Sequence, residues 1–482
     1  MEKKILRQSS FWIFGITIFS FIFLRLYRLP ETLYFWGDIG RDHEMLMEMV
    51  QERKPTLLGP GNSQLPFNQS AWYFYLNLPV FILTSYSPLT TAFTGIGLNI
   101  IASFILFRQI KNDQSSQKVF TKLVPFIFFS LLYLFHPFVL EQQRSTWNPA
   151  FAVPFLIVGI GIFWKLLDEG DISKKFIVLS ALCFSFAVGM TYAVIPILFF
   201  VILMFLFSLP KEKRLFFLSS LVGSFLIVFL PHILFELRYD FLLTKQVLQF
   251  ERSNQTVPFL SLIDSGLVQL VGFKEVRTVS MRAVFIILIL LVVGIFQLPE
   301  KRKKNVLKLI FIFVCSYISS TLFIDEFHSH YVLGFIVLFL FIVMNLPEIW
   351  KVLIAMVLLF YWSGIITTEF TRAPHRTISD LETCAEKVCA QYTEPMYLSA
   401  QAWHDFHSGY DYSFFFNKHG CFTRDISTNP GMSDKMLVVA DKADFDPATT
   451  AYHELTLFGE KELQDTILCG ENMRVYQFKK QN

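Results

Sequence analysis

Two carboxylates and an arginine lie close together in residues 35–42, which read Phe-Trp-Gly-Asp-Ile-Gly-Arg-Asp. Glycines near Asp38 permit a tight backbone turn and leave its carboxylate accessible. An accessible carboxylate can act as the general base for an acceptor hydroxyl or amine, and Asp42 is a second candidate for this role. The alternative is a helix cap, in which either aspartate accepts hydrogen bonds from backbone amides while Arg41 pairs with a lipid phosphate.

Two further groups of polar residues lie at the ends of apolar runs. One contains Arg144, Trp147 and Asn148, and the planar fork of the arginine can bind a phosphate. Its alternative is simple contact with lipid headgroups. The other contains His232 and Arg238, which are costly to bury in a membrane and therefore indicate a polar cavity. Here the alternative is a histidine satisfied inside a helical bundle and an arginine that extends to the membrane surface.

A fourth group of polar residues consists of Asp325, Glu326, His328, His330 and Tyr331. A His-x-His pattern beside acids can bind a divalent metal ion. The alternative is an ordinary solvated loop. A divalent metal is therefore a candidate cofactor, and the sequence indicates no other.

The composition shows what kind of element must position these residues. Of 482 residues, 53% are hydrophobic and 17% charged, which is too little polar surface for a soluble chain of this length. The net charge of +3 excludes nucleic acid as an expected partner and leaves membrane lipids. Runs long enough to span a membrane predict an all-α polytopic bundle with about eleven transmembrane helices, near residues 10–29, 88–107, 123–140, 150–167, 176–191, 193–209, 216–235, 283–298, 307–324, 331–347 and 352–368.

Cationic clusters alternate with these runs and predict the topology. By the positive-inside rule the amino terminus is cytoplasmic and the carboxyl terminus lies outside, so the chain is a multi-pass protein of the plasma membrane. All four polar groups then lie at the outer face. The first run is predicted to be a retained anchor, with Arg25 and Arg28 extending to the membrane surface.

The first outer loop, residues 30–87, is predicted to contain interfacial helices. Residues 72–86 are apolar but too short to span, and their aromatic start suits a membrane surface. An apolar stripe of Met45, Leu46, Met49 and Val50 predicts an amphipathic helix that lies in the interface. Residues 1–368 thus form the transmembrane domain together with this loop.

Residues 369–482 have ordinary polarity and are predicted to form a small extracytoplasmic α/β domain. Residues 436–440 are predicted to form a strand. The four cysteines of this segment, Cys384, Cys389, Cys421 and Cys469, could form two disulfides in three possible pairings. Four buried thiols are the alternative.

The sequence resembles the GT-C fold glycosyltransferases that use polyprenyl-phosphate sugars, namely family 39 with the protein mannosyltransferases and the bacterial aminoarabinose-to-lipid A transferases. That family has an essential acid in its first outer loop, and Asp38 stands in the equivalent place. Arg41 and Glu44 fall where the family often has Arg and Glu. The resemblance covers the bundle, whereas residues 369–482 match in position only.

Further stretches support the same resemblance. The run Trp-Tyr-Phe-Tyr-Leu at residues 72–76, which contains Tyr73, is similar to the family's short aromatic helix. Residues 147–149, residues 231–239 and the pair His330-Tyr331 are similar to stretches of bacterial members. Many relatives carry a lysine before the aromatic helix that helps to bind the lipid phosphate, but residues 67–71 here contain no cation. The resemblance therefore implies that Arg144 or Arg238 binds the phosphate.

The mechanism that the resemblance implies is an inverting sugar transfer at the outer face of the membrane. A polyprenyl-phosphate-linked sugar is the donor, and a lipid, a glycan or a protein is the acceptor. Asp38 deprotonates the acceptor, which attacks the anomeric carbon, and an arginine compensates the charge of the leaving phosphate. The transferred sugar is a hexose or a pentose.

Three other functions compete with a transferase. A transporter or flippase of lipid-linked sugars would require charged residues within the spans, near the bilayer midplane. A glycan polymerase or ligase would share the substrate class without the acid in the first loop. A non-catalytic scaffold would use its outer domain to bind partners.

Overall fold

The structure is a computed structural model of the whole chain. It describes residues 2–61, 67–111, 119–145, 147–249, 259–273, 278–321, 330–372, 374–401, 409–441, 446–447, 450, 452–470 and 473–481.

Helices make up most of the described chain. They are α1 Glu2–Leu26, α2 Leu29–Thr32, α3 Gly37–Glu52, α4 Trp72–Leu83, α5 Thr90–Lys111, α6 Val119–Phe135, α7 Pro137–Ser145, α8 Asn148–Glu169, α9 Lys174–Met190, a 3-10 turn Tyr192–Val194, α10 Ile195–Ser208, α11 Lys211–Arg238, α12 Leu242–Gln249, α13 Phe259–Leu270, α14 Thr278–Phe296, α15 Glu300–Thr321, α16 Leu333–Met344, α17 Glu348–Thr371, α18 Ile378–Cys389, α19 Tyr410–Lys418 and α20 His453–Phe458. The strands are β1 Met396–Gln401, β2 Thr423–Arg424, β3 Lys435–Ala440, β4 Lys461–Leu468 and β5 Arg474–Lys480.

Several of these helices have the length and apolar character of membrane spans. Within the described residues, α5, α8, α11, α15 and α17 are each long and apolar enough to cross a membrane. The pair α6 and α7, bent by 62° between Phe135 and Pro137, makes a sixth if it is a single span. The described residues also contain five shorter apolar helices. One of them is α4, which with 12 residues is too short to span a membrane, as predicted.

Contacts divide the chain into two compact units. The bundle unit contains Met1–Tyr27, Thr56–Leu76 and Ala92–Glu369, and the tail unit contains Arg28–Pro55, Asn77–Thr91 and Phe370–Asn482. Two parts of the first outer loop belong to the tail unit, and the predicted domains 1–368 and 369–482 remain a prediction.

The core of the bundle unit is a set of helices with little exposed surface. All twelve residues of α16 are buried, and α16 packs on α6 and α8. Helix α8 begins with proline in its first turn, where the missing amide donor costs nothing, and ends before Gly170, whose φ of 79° closes the helix. A helix that is apolar on every face must be enclosed by other helices or by lipid.

Arg25 does not extend to the membrane surface as predicted. It is fully buried, and its Nε donates to Oε1 of Gln143 at 2.8 Å while Nη1 donates to the carbonyl of Leu134 at 3.0 Å. The side chain amide of Gln143 in turn donates to the hydroxyl of Tyr133. The prediction was wrong because polar partners from α6 and α7 satisfy the guanidinium inside the bundle. Arg28, by contrast, is exposed.

The tail unit is built on a five-stranded mixed sheet in the order β2-β1-β3-β5-β4. Strand β1 is parallel to β2 and β3, with Leu398 opposite Leu437, and β5 is antiparallel to β3 and β4. Both central strands are buried on both faces, as expected for parallel strands that are covered on each side. The predicted strand at residues 436–440 is confirmed as part of β3, and the α/β class of the tail is confirmed with it.

Two disulfides cross-link the tail unit. Cys384 on α18 is bonded to Cys469, and Cys389 at the end of the same helix is bonded to Cys421. Helix α18 begins with a capping box, in which the side chains of Thr377 and Asp380 each accept a bond from the other residue's backbone amide. Of the three pairings left open by the sequence, the structure contains this one.

Candidate functional site

Asp38 lies in the first turn of α3, where the positive end of the helix dipole favours a carboxylate. Nη1 of Arg41, one helical turn later, donates to Oδ1 of Asp38 at 2.7 Å. The Asp38 side chain is 27% exposed, and the structure shows no second partner for it among the described residues. One oxygen of Asp38 is bonded to Arg41 and the side chain is partly exposed, so the carboxylate is accessible to an acceptor group.

Asp42, unlike Asp38, is buried. Its side chain is 1% exposed, and its Oδ1 accepts from Nε and Nη2 of Arg41 at 3.1 and 2.9 Å. A guanidinium bridged to two carboxylates has a fixed orientation. The geometry therefore suits Asp38 to proton transfer and Asp42 to holding Arg41.

The start of α3 lies against the start of α19. A Cβ added at Gly40 would lie 2.0 Å from the carbonyl oxygen of Tyr410 and 2.6 Å from its carbonyl carbon. Only glycine leaves room for this approach of two backbones, which fixes α3 at the position of Asp38.

The carboxylate of Glu44 is occupied by contacts with α19 and β2. It accepts hydrogen bonds from the hydroxyl of Ser413 and from Nδ2 of Asn417, and Nη1 of Arg424 lies 3.5 Å from its Oε1. Burial raises the pKa of Glu44 to about 7, and the bonds from Ser413 and Asn417 oppose this shift. These contacts hold α3 against α19 and β2, so they explain Glu44 without a substrate. The substrate-binding role that the resemblance implies for Glu44 remains a prediction.

A buried ionic cluster in the tail unit was not predicted from the sequence. Nη1 of Arg376 donates to Oδ2 of Asp441 at 2.7 Å and to the hydroxyl of Tyr412, and Nη2 donates to Oδ2 of Asp411. Nη2 also donates to the backbone carbonyl of Phe35 at 3.3 Å. The only signal in the sequence is the acid of Asp411 inside an aromatic run, Tyr-Asp-Tyr-Ser-Phe-Phe-Phe over residues 410–416.

In the bundle unit, three of the predicted residues come together. The Trp147 ring lies edge-on to His330 with ring centroids 4.8 Å apart, and the His330 ring lies 4.2 Å from that of Tyr331. The indole nitrogen of Trp147 donates to Oε1 of Gln142 at 2.6 Å. Tyr73 is fully buried elsewhere in this unit, with its ring 5.1 Å from Phe151.

Arg144 and Asn148 contact the ends of other helices. Nη1 of Arg144 donates to the carbonyls of Leu24, Arg25 and Tyr27, at the carboxyl end of α1, over 3.0 to 3.2 Å. Nδ2 of Asn148 donates to the carbonyl of Met190, the last residue of α9. Helix ends leave such carbonyls unsatisfied, so both side chains have a structural use.

His232 and Arg238 lie on the last two turns of α11. His232 is half-buried, while Arg238 is exposed and its guanidinium lies 5.5 Å from the ring of Tyr239. Between them Glu236 accepts from the amides of Leu243 and Thr244 and so caps the start of α12. Of the two arginines predicted to bind phosphate, Arg238 is the accessible one.

The predicted metal segment falls mostly outside the described residues, since of its members only His330 and Tyr331 are described. Within the part of the chain that the structure describes, no group of three His, Cys, Asp or Glu side chains is placed to hold a metal ion.

The fold is GT-C-like, which confirms the predicted membrane bundle with a small carboxyl-terminal α/β domain. Among solved structures, the chain is similar to ArnT from Cupriavidus metallidurans in the apo state (TM-score 0.64, 8% identity, 98% of each chain). The same protein bound to undecaprenyl phosphate gives a TM-score of 0.61 with 10% identity over 98% of this chain and 97% of that one.

A further similarity is to the arabinofuranosyltransferase AftD from Mycobacteria, with a TM-score of 0.53 and 13% identity over 98% of this chain and 41% of that one. No protein-family model matches the sequence, and a search of curated proteins gives no significant match.

Proposed function

We propose that this chain is an integral membrane glycosyltransferase that moves a sugar from a polyprenyl-phosphate carrier to an acceptor hydroxyl or amine. The fold supports this proposal over 98% of the chain, because ArnT, one of the solved structures with this fold, is bound to undecaprenyl phosphate. The observation that carries the proposal is the carboxylate of Asp38, which is accessible in the first turn of α3 and is held from one side by Arg41.

The proposed reaction is a single displacement. The acceptor oxygen or nitrogen attacks the anomeric carbon as its proton moves to Oδ2 of Asp38, and the bond between that carbon and the carrier phosphate oxygen breaks with inversion. The carrier leaves as a phosphate monoester, which takes the bonding electrons. Arg41 keeps the carboxylate oriented during the transfer, since its guanidinium is itself fixed by Asp42.

Arg238 is the residue that we propose for the carrier phosphate. It is exposed at the end of α11, whereas one nitrogen of Arg144 is already engaged by three carbonyls. A guanidinium at the end of an apolar helix can compensate the charge of a phosphate at the membrane surface.

The proposed location of the reaction is the outer face of the plasma membrane, with a cytoplasmic amino terminus. It is supported by the alternation of cationic loops, and the two disulfides of the tail unit suit an oxidising compartment. Cysteine labelling of intact cells at positions in the tail unit would test this topology.

The experiment that tests the function measures sugar transfer by the purified protein in nanodiscs. Radiolabelled polyprenyl-phosphate hexoses and pentoses are supplied with lipid, glycan and peptide acceptors, and the native chain is compared with Asp38→Asn. The matched control is Glu52→Gln, which removes an exposed carboxylate from the other end of α3. Transfer by the native chain and by Glu52→Gln, lost in a folded Asp38→Asn, would support the proposal.

Two other outcomes would contradict it. Equal turnover by Asp38→Asn would remove this carboxylate from the mechanism. Movement of the lipid-linked sugar across a vesicle membrane, without transfer to any acceptor, would support a flippase instead.

The metal requirement is a separate proposal, since it rests on Asp325, Glu326, His328 and His330. Turnover measured after treatment with a chelator, and again after Mg²⁺, Mn²⁺ or Zn²⁺ is restored, tests it. Turnover that is unchanged by chelation would favour an ordinary solvated loop.

A further inference from the structure

The backbone on both sides of Asp38 is held by residues of the tail unit that are far away in the sequence. On the amino-terminal side, the carbonyl of Phe35 accepts a hydrogen bond from Nη2 of Arg376 at 3.3 Å. On the carboxyl-terminal side, Gly40 lies against the backbone of Tyr410, so closely that a Cβ at this position would overlap the Tyr410 carbonyl. Asp38 thus lies between two fixed points five residues apart.

Both fixed points depend on the first turn of α19. Tyr410 is the residue that Gly40 contacts, and its neighbour Asp411 is hydrogen-bonded to the same nitrogen of Arg376 that reaches Phe35. A shift of this turn would therefore move the contacts on both sides of Asp38 together.

Arg376 itself has little freedom to move. It is 3% exposed, and Asp411 and Asp441 bind its two terminal nitrogens, so the buried charge is compensated from two directions. The hydroxyl of Tyr412 contacts Nη1, and the Tyr412 ring lies 4.5 Å from the guanidinium carbon. A planar guanidinium can satisfy all of these acceptors at once, whereas an ammonium cannot.

We propose that Arg376 is a positioning residue for Asp38, acting through the carbonyl of Phe35 and together with Tyr410 and Asp411. The effect on activity rests on the function proposed above. The effect on the order of residues 36–44 does not, since it follows from the contacts alone. The carboxyl-terminal segment is then part of the active site rather than a separate acceptor-binding module.

The test uses the full-length protein in nanodiscs and the variant Arg376→Lys. This variant keeps the positive charge but loses the planar guanidinium with its two terminal nitrogens. Amide hydrogen exchange is followed in peptides that cover residues 36–44, and kcat and KM are measured for the donor. The matched control is Glu382→Gln, which breaks the contacts of Lys418 and His419 between α18 and α19 in the same unit. Among the described residues, the Glu382 carboxylate has no hydrogen bond or ion pair with Arg376, Tyr410 or residues 35–44. Folding is checked by the apparent unfolding temperature.

We expect exchange at residues 36–44 to become at least about tenfold faster in Arg376→Lys, with kcat reduced about tenfold and the donor KM nearly unchanged. Glu382→Gln should change neither quantity. If Arg376→Lys does not fold, Tyr412→Phe replaces it, since that change removes only one hydroxyl from the cluster.

Unchanged exchange at residues 36–44 in a folded variant would overturn the proposal. A loss of activity expressed only in the donor KM would also overturn it, because it would indicate a role in donor binding. If the native chain transfers no sugar, the proposed function fails, but the exchange rates still decide whether Arg376 orders the segment.

Discussion

Glu44 on α3 and Asn417 on α19 are joined by a hydrogen bond in which Nδ2 of Asn417 donates to Oε1 of Glu44 at 2.9 Å. The sequence positions of these residues differ by 373, so the contact joins the first outer loop to the carboxyl-terminal segment. Glu44 as a whole residue is 9% exposed. A buried carboxylate couples the stability of this contact to pH.

The first prediction concerns the pH dependence of stability. Burial raises the pKa of Glu44 from 4.5 to about 7, so the native state binds this proton more tightly than the unfolded chain does. This contribution to stability is complete below pH 4.5 and is lost as the pH rises from about 4.5 to 7. Glu44→Gln cannot ionise, and it should gain about 3 kcal/mol relative to the native chain between pH 5 and pH 8.

The measurement is the apparent unfolding temperature of both proteins across this pH range. Glu52→Gln, which changes an exposed carboxylate on the same helix, should show no such divergence. Parallel pH profiles for the native chain and Glu44→Gln would contradict the prediction.

The second prediction concerns the close approach of α3 and α19. Gly40→Ala places a Cβ 2.0 Å from the carbonyl oxygen of Tyr410, and the atoms it would overlap belong to the backbone of α19. We expect a loss of about 3 kcal/mol or more in stability, which a lower unfolding temperature would reveal. Gly470→Ala is the control in the same unit, because no atom lies within 4 Å of its Cβ. Equal stabilities of the two variants would show that α3 and α19 do not meet in this way.

The third prediction concerns the disulfides. Non-reducing peptide mapping should recover Cys384 with Cys469 and Cys389 with Cys421. Because the cysteines are 85 and 32 positions apart, loop-closure entropy predicts losses of about 4–5 and about 4 kcal/mol when each pair is replaced by serine. Cys315→Ser, at a free thiol in α15, is the control. Recovery of a peptide that links Cys384 to Cys389 would exclude this pairing.

The fourth prediction separates Arg238, which we propose for the carrier phosphate, from Arg144, the other arginine that the resemblance implies. Arg144→Ala removes the donor from three carbonyls at the end of α1 and should lower the unfolding temperature. Arg238→Ala removes an exposed side chain and should change stability by about 0.5 kcal/mol or less, while it raises the KM for the donor. A stable Arg144→Ala with a raised donor KM would reverse the assignment.

The features that the sequence predicted are those that depend on neighbouring residues. Hydropathy over a window of about 20 residues identifies spans, and a polar composition identifies the α/β tail. The accessible acid at Asp38 follows from the glycine on its amino-terminal side and from its place after an apolar run. Each of these signals is contained in a short stretch of chain.

The features that the sequence did not predict depend on distant partners. Arg25 at the end of an apolar helix looks like any arginine that reaches the membrane surface. Its burial is satisfied by Gln143 and by the carbonyl of Leu134, which are 118 and 109 positions away. The cluster of Arg376 with Asp411 and Asp441 joins residues 35 and 65 positions apart, and the aromatic run around Asp411 does not identify its partners. Pairing across such distances is set by the tertiary fold.

The tail unit is formed by three separate stretches of the chain, and this has a consequence for biosynthesis. Gly40 is made early, but its contact Tyr410 emerges 370 residues later, which at about 5–20 residues per second is a delay of roughly 20–70 s. During that time α3 has none of the contacts with α19 that hold it. If Asp38 acts as proposed above, we expect a chain that ends before Tyr410 to show no sugar transfer, because it lacks α19 and the contacts that hold α3.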